Sequence, residues 1–213
     1  MTEYKKGFHP IYLLAILYVI GIYIASVLCL AGFVLMNLQT AMDFSIDLRI
    51  LAVPFIMGAV NLAAVIYANK MDKQYFLNCS VIIKYLLIPF YIIGGISILV
   101  LSIISLVTLG YCMLVWPKLA IAFGAFGYTT LIAAAPFSIL YIIKAVKDDT
   151  HNLFLGVMGI LAQFFFCFDV FAVMILATKE KKCLKSTAAV ILLSVFCFIS
   201  SILVPLIKHI AAG

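Results

Sequence analysis

The chain has 213 residues, of which 67% are hydrophobic and only 10% charged, and its formal net charge is +6. So little polar surface cannot cover a water-soluble domain of this size, which excludes an ordinary soluble fold. The basic residues stand at the ends of apolar runs rather than along one face, as they do around membrane spans, so the positive charge points to a lipid bilayer and not to nucleic acid.

A membrane β-barrel is excluded as well, because no segment alternates apolar and polar with period two over about 10 residues. The expected fold is all-α, a polytopic transmembrane helical bundle forming one integral membrane domain over residues 1–213. Its spans are predicted near 11–35, 50–68, 81–107, 120–143, 153–177 and 186–207. Lys5 and Lys6 precede an apolar run far longer than the ~7–15 residues of a signal core, so the first run reads as a retained span. Thirteen of the fourteen basic residues are Lys. With the abundance of Ile, that suggests a bacterial genome of low G+C content and a multi-pass protein of the bacterial cytoplasmic membrane.

Between the first two runs, Asp43, Asp47 and Arg49 are interspersed with Leu38, Met42, Phe44, Ile46 and Leu48. The segment reads as a surface loop, with a short interfacial helix as the alternative. The second run carries Asn61. The third is difficult, because residues 81–116 contain Lys84 as their only charge and a straight helix of that length would be about 54 Å long. Either the span ends near Val107 and residues 108–118 connect, or the stretch folds back as two short spans, with Gly94 and Gly95 seating the break.

Six spans with the amino terminus cytoplasmic put eight basic residues inside (Lys5, Lys6, Lys70, Lys73, Lys84, Lys144, Lys147, Lys208) and six outside. Seven spans would put ten inside and four outside, a better asymmetry. Length favours six and charge favours seven; six is adopted because no turn signal supports the split. Pro54, Pro89, Pro136 and Pro205 interrupt runs and are read as kinks in packing, against the alternative of broken helices that build a midplane site.

The fourth run carries small residues at Ala120, Gly124, Gly127 and Ala133 to Ala135, which mark a central helix open to close approach. Tyr128, Thr129, Thr130, Ser138 and Tyr141 offer hydroxyls for a polar path. In the plainer reading they bond their own preceding carbonyls.

The fifth run holds Asp169, the one acidic residue inside a membrane-length apolar stretch, with Gln163 as the only other polar interruption. An intramembrane carboxylate is costly and marks either a site or a helix contact. In a continuous helix Asn152, Gly156, Gly159 and Gln163 share one face, where small residues admit a neighbouring helix and Gln163 bonds across the contact. Asp169 then points about 120° away, roughly 12 Å below the Ala177 end, and its partner must come from another helix. Asn61, Thr129, Thr130 and Lys84 are the candidates. Without a cation beside it, burial would favour the neutral acid, which suits a proton-coupled or ion-coupled carrier.

Other chemistries find little support. Thr108 to Tyr111 matches a potassium filter loop only in part, with Cys112 where the final Gly belongs. His9, His151 and His209 lie at span ends without metal-ligand spacing or a nearby nucleophile. The six cysteines, at 29, 79, 112, 167, 183 and 197, include no Cys-x-x-Cys pair. No enzyme activity, metal or cofactor is expected.

Residues 83–95 (IKYLLIPFYIIGG) and 163–170 (QFFFCFDV) resemble a domain-of-unknown-function family of small multi-span proteins from Gram-positive bacteria. The resemblance covers mainly the third and fifth spans and implies no particular activity. Two functions remain in view. One is a small transporter, or the membrane subunit of one, with Asp169, Asn61, Gln163, Thr129 and Thr130 as its polar site. The other is a membrane-embedded accessory or interaction protein that meets other membrane subunits through small-residue helix faces.

Overall fold

The computed structural model describes residues 10–39, 49–107, 112–166 and 168–180, and among them the regular structure is entirely helical. In chain order the helices are α1 (Pro10–Gln39), α2 (Arg49–Tyr67), α3 (Lys73–Leu86), α4 (Ile88–Val107), α5 (Cys112–Lys147), α6 (Leu153–Ala162) and α7 (Phe168–Lys179), with a 3₁₀ turn at Ala68–Lys70. The sixth predicted span, 186–207, lies outside the described residues, as do His9, His209, the segment 40–48 and Thr108 to Tyr111.

The chain divides into two compact units, Met1–Val173 and Met174–Gly213, with the boundary inside α7. The described part of the second is the end of that helix, where the Thr178 hydroxyl donates to the Met174 carbonyl (2.8 Å).

Among the described residues, four helical stretches are long and apolar enough to cross a membrane: Pro10–Cys29, Ala52–Lys70, Lys73–Val107 and Pro117–Lys147. This composition fits a membrane protein. The long third run does not break at Gly94 and Gly95, since α4 passes through both. It breaks at Leu87, two residues before Pro89. Pro89 has no N–H for the carbonyl four residues back and is tolerated in the first turn of a helix, so α3 ends and α4 starts there. Helix α5 also begins earlier than expected, at Cys112, and takes in residues read as a connection.

Within the first unit α5 packs against α2, α3, α4 and α6, while α1 packs against α2 and α3. The small residues explain how. A Cβ on Gly58 of α2 would sit 2.8 Å from Ala133 Cβ and 3.0 Å from its Cα, so these two backbones touch. Gly156 and Gly159 of α6 are buried, their missing side chains occupied by Val146 and Ile142 of α5. Most of the outward surface is apolar: α4 buries no residue, and Ile93, Ile96, Leu106 and Val107 are all exposed.

One end of this unit is stapled by lysines. Lys144 of α5 donates to the carbonyls of Asn69 and Met71 and lies over the Phe76 ring, 4.9 Å from its centroid. Lys73 donates to Thr150 and stands 3.4 Å from Asp148. Asp72 caps α3 at Gln74 N (3.3 Å), and Asn152 caps α6 at Phe154 N (3.1 Å). The start of α1 lies at this end too, where Asn78 donates to the Tyr12 hydroxyl (3.0 Å).

The Gly58 contact is testable against an open position. Gly58→Leu should cost about 1–3 kcal/mol through overpacking and lower the melting temperature in detergent. Gly124→Ala, with nothing within 4 Å of a new Cβ, should leave it unchanged or raise it slightly.

Candidate functional site

The fifth predicted span is two helices. At the end of α6 the backbone tightens from α to 3₁₀: Gln163, Phe164 and Phe165 donate to Ile160, Leu161 and Ala162, each three residues back (3.1–3.2 Å). The carbonyl of Gly159 is thereby released from its usual N–H donor, and the Gln163 side chain takes it through Nε2 (3.3 Å). Gln163 therefore does not bond across to a neighbouring helix; it serves its own helix end. The angular relation expected between Asp169 and the Gly156–Gly159 face does not hold either, because it assumed an unbroken helix.

Helix α7 opens at Phe168 with Asp169 in its first turn. Lys84 stands in the last turn of α3. Their side chains meet, Lys84 Nζ donating to Asp169 Oδ2 at 2.6 Å, and neither side chain is exposed to any degree. Each charge also complements the dipole of its helix, the carboxylate at an N-terminus and the ammonium at a C-terminus. Lys84 is thus not a flanking charge. Without it the six-span count falls to seven basic residues inside against six outside.

Lys84 lies eleven residues beyond Lys73, about 16 Å along the helix axis. That is roughly half the ~30 Å of a bilayer core, which puts the pair near mid-depth if Lys73 marks the interface.

The kink at Leu87 brings α4 into the site. Leu87 has φ −85° and ψ −7° and donates to Ile83, while the Leu86 carbonyl accepts from the Tyr23 hydroxyl of α1 (2.8 Å). Seven residues past Lys84, Tyr91 packs edge-on against Phe166 (5.7 Å between centroids), and Phe166 in turn contacts Tyr128 (6.2 Å). The Tyr91 hydroxyl is buried without a hydrogen-bond partner. The second carboxylate oxygen, Asp169 Oδ1, is likewise buried and unpartnered.

The other sequence candidates do not converge on Asp169. Asn61 is buried and donates to the Ala133 carbonyl of α5 (3.0 Å), within the turn before Pro136. Thr129 and Thr130 both donate to the Phe126 carbonyl of their own helix (2.9 and 2.8 Å), the plainer use of a membrane hydroxyl. Tyr18 of α1 donates to the Thr130 carbonyl (2.7 Å). Tyr18 and Tyr91 were not among the sequence candidates. The available signal for Tyr91 was its spacing of seven from Lys84, two helical turns onto the same side.

The chain belongs to a family of unknown function, DUF6652, which matches residues 9–182. That match includes both helix breaks and the ion pair. Neither a curated protein nor a solved structure matches the chain.

Removing one partner of a buried ion pair leaves an uncompensated charge, whereas replacing both with apolar side chains is often neutral or stabilising. Lys84→Met and Asp169→Leu alone should each lower stability by about 3–5 kcal/mol, and the double variant should recover most of the loss. Thermal unfolding of the three variants in detergent checks this, and additive losses in the double variant would refute the coupling.

Proposed function

We propose that this DUF6652 member is a multi-pass membrane protein acting as a small carrier, or as the membrane subunit of one, and that the Lys84–Asp169 pair is its working element. The observation that carries the reading is the place of the pair, where two interrupted helices meet with both charges fully buried. Transporters build midplane sites from such discontinuous helices, and ionisable residues at membrane depth mark pathways by default. A purely structural contact does not need the charges, since apolar side chains of similar volume would hold the helices as well.

The proposed orientation follows from the stapled end. Lys70, Lys73, Lys144 and Lys147 gather there with the start of α1, whereas Arg49 and Lys118 stand at the opposite helix ends. By the positive-inside rule the stapled end faces the cytoplasm, and so does the amino terminus. In the six-span reading α3 and α4 count together as one crossing, as the unbroken apolar stretch Lys73–Val107 supports.

A second reading, an accessory protein docking on a larger membrane complex, draws on α4. That helix buries no residue, and Gly94 and Gly95 have open space beside them. Recovery of the protein alone from native membranes would count against it.

The carrier reading is tested in a strain lacking the protein, complemented at matched protein level. Wild type should restore the growth or uptake phenotype. Lys84→Met/Asp169→Leu should accumulate as a folded protein and fail to restore it. Full rescue by that double variant would make the pair a packing element and end the carrier reading.

A further inference from the structure

We propose that the α5–α6 seam holds an internal water bound between Ser138 Oγ and Gln163 Oε1, and that this water ties the end of α6 to α5. The register of the seam sets the two residues opposite each other. A Cβ on Gly156 would lie 2.5 Å from Val146 Cγ2, and one on Gly159 would lie 3.2 Å from Ile142 Cδ1. The helices are therefore antiparallel, with Val146 opposite Gly156 and Ile142 opposite Gly159. One turn further along the same two faces stand Ser138, four residues before Ile142, and Gln163, four residues after Gly159. Ser138 lies on the Ile142 side of Pro136, and Gln163 keeps helical backbone angles (φ −64°, ψ −17°), so neither helix break intervenes.

Both side chains are fully buried, and Ser138 Oγ and Gln163 Oε1 have no hydrogen-bond partner in the protein. Ser138 departs here from the habit of its neighbours. Ser26, Ser80, Ser97, Ser102 and Thr130 each donate to the carbonyl four residues back in their own helix (2.6–2.8 Å), whereas Ser138 does not take the Ala134 carbonyl. The Gln163 amide is fixed in orientation, because Nε2 donates to the Gly159 carbonyl (3.3 Å), a group that can only accept.

The chemistry of the two atoms selects the occupant. An amide oxygen only accepts, and a hydroxyl donates and accepts, so a bridging molecule must donate to Gln163 and can bond Ser138 either way. Neither group carries a charge to hold an ion, and among the described residues no three His, Cys, Asp or Glu side chains are grouped for a metal. Close packing one turn away at Gly159 favours the smallest such molecule, which is water. Buried waters characteristically satisfy polar groups of this kind, and a bridging water is enthalpically nearly as good as a direct bond.

The Gln163 amide is then held at both ends, by Nε2 on its own helix and by Oε1 through the water on α5. It is held at the residue where bonding changes from i→i−4 to i→i−3. Ser138 and Gln163 are thus positioning residues for the break that precedes Asp169. This water site stands whether or not the protein is a carrier.

The test uses the full-length protein in lipid bilayers, labelled with ¹⁵N-glutamine, and solid-state NMR transfer of magnetisation from water to side-chain amides. Glutamine occurs at 39, 74 and 163, and the Gln163 signal is the one lost in Gln163→Met. It should receive magnetisation from water at short mixing times, and in Ser138→Ala the signal should remain while the transfer falls several-fold. No transfer in the wild type overturns the water site, and undiminished transfer in Ser138→Ala overturns Ser138 as its anchor. Ser138→Ala should also melt at lower temperature in detergent; a rise, as when an orphaned buried hydroxyl is removed, overturns the bridge. Backbone amide exchange at residues 163–165 should quicken in the same variant, and unchanged exchange overturns the positioning role.

Discussion

The contact between Lys84 and Asp169 constrains where both helix interruptions can lie. Charged side chains cost about 2.5–3.5 kcal/mol each at the centre of a membrane helix. Their positions offset part of this, because an ammonium in a last helical turn and a carboxylate in a first turn each gain from the helix dipole, about 0.3–1 kcal/mol at exposed sites and up to ~2 when partly buried. Had α3 run on without the Leu87 kink, or α6 without its break, Lys84 and Asp169 would sit in helix interiors and lose that support. The interruptions and the ion pair therefore belong to one arrangement. Its charges add no stability that apolar side chains could not supply, which is why the pair reads as a working part.

Breaking helices in an apolar medium releases carbonyls that water cannot satisfy, and the polar side chains of the first unit are largely spent on that problem. Tyr23 meets the Leu86 carbonyl at the Pro89 kink, Asn61 the Ala133 carbonyl near Pro136, and Gln163 the Gly159 carbonyl at the end of α6. Asn61 is committed through its Nδ2 and Gln163 through its Nε2, while Gln163 Oε1 is buried without a partner. Among the described residues some buried side-chain oxygens are left without a partner, Tyr91 Oη, Ser138 Oγ, Gln163 Oε1 and Asp169 Oδ1 among them.

The helical class was legible because it follows from composition and run length. The small-residue positions were legible too: Gly156 and Gly159 face α5, as their spacing implied, and α5 is the helix that most others touch. The pairing of Lys84 with Asp169 was only one possibility among several, since a lysine near a span boundary looks the same whether it snorkels or turns inward. Pro89 was read as a kink, and the interruption falls two residues before it at Leu87, whereas Gly94 and Gly95, the seat of the fold-back that was not adopted, lie inside α4. The break after α6 had no local signal. Residues 163–167 contain neither Gly nor Pro, and the shift to i→i−3 bonding is a tertiary outcome.

The two junctions differ in what holds them. The α3–α4 junction is fixed by a proline and by the Tyr23 bond, so Lys84 is anchored by a covalent feature of the chain. The α6–α7 junction carries three i→i−3 bonds from Gln163, Phe164 and Phe165, with the Asp169 N–H donating four residues back to Phe165 (3.2 Å). A 3₁₀ helix rises about 2.0 Å per residue with 3.0 residues per turn, against 1.5 Å and 3.6 for an α-helix. Converting three residues would shorten the segment by about 1.5 Å and turn Asp169 by about 60° around its axis. A contact of 2.6 Å does not survive such a displacement. The ammonium thus stands beside a junction set by a proline, and the carboxylate beside one set by hydrogen bonds alone.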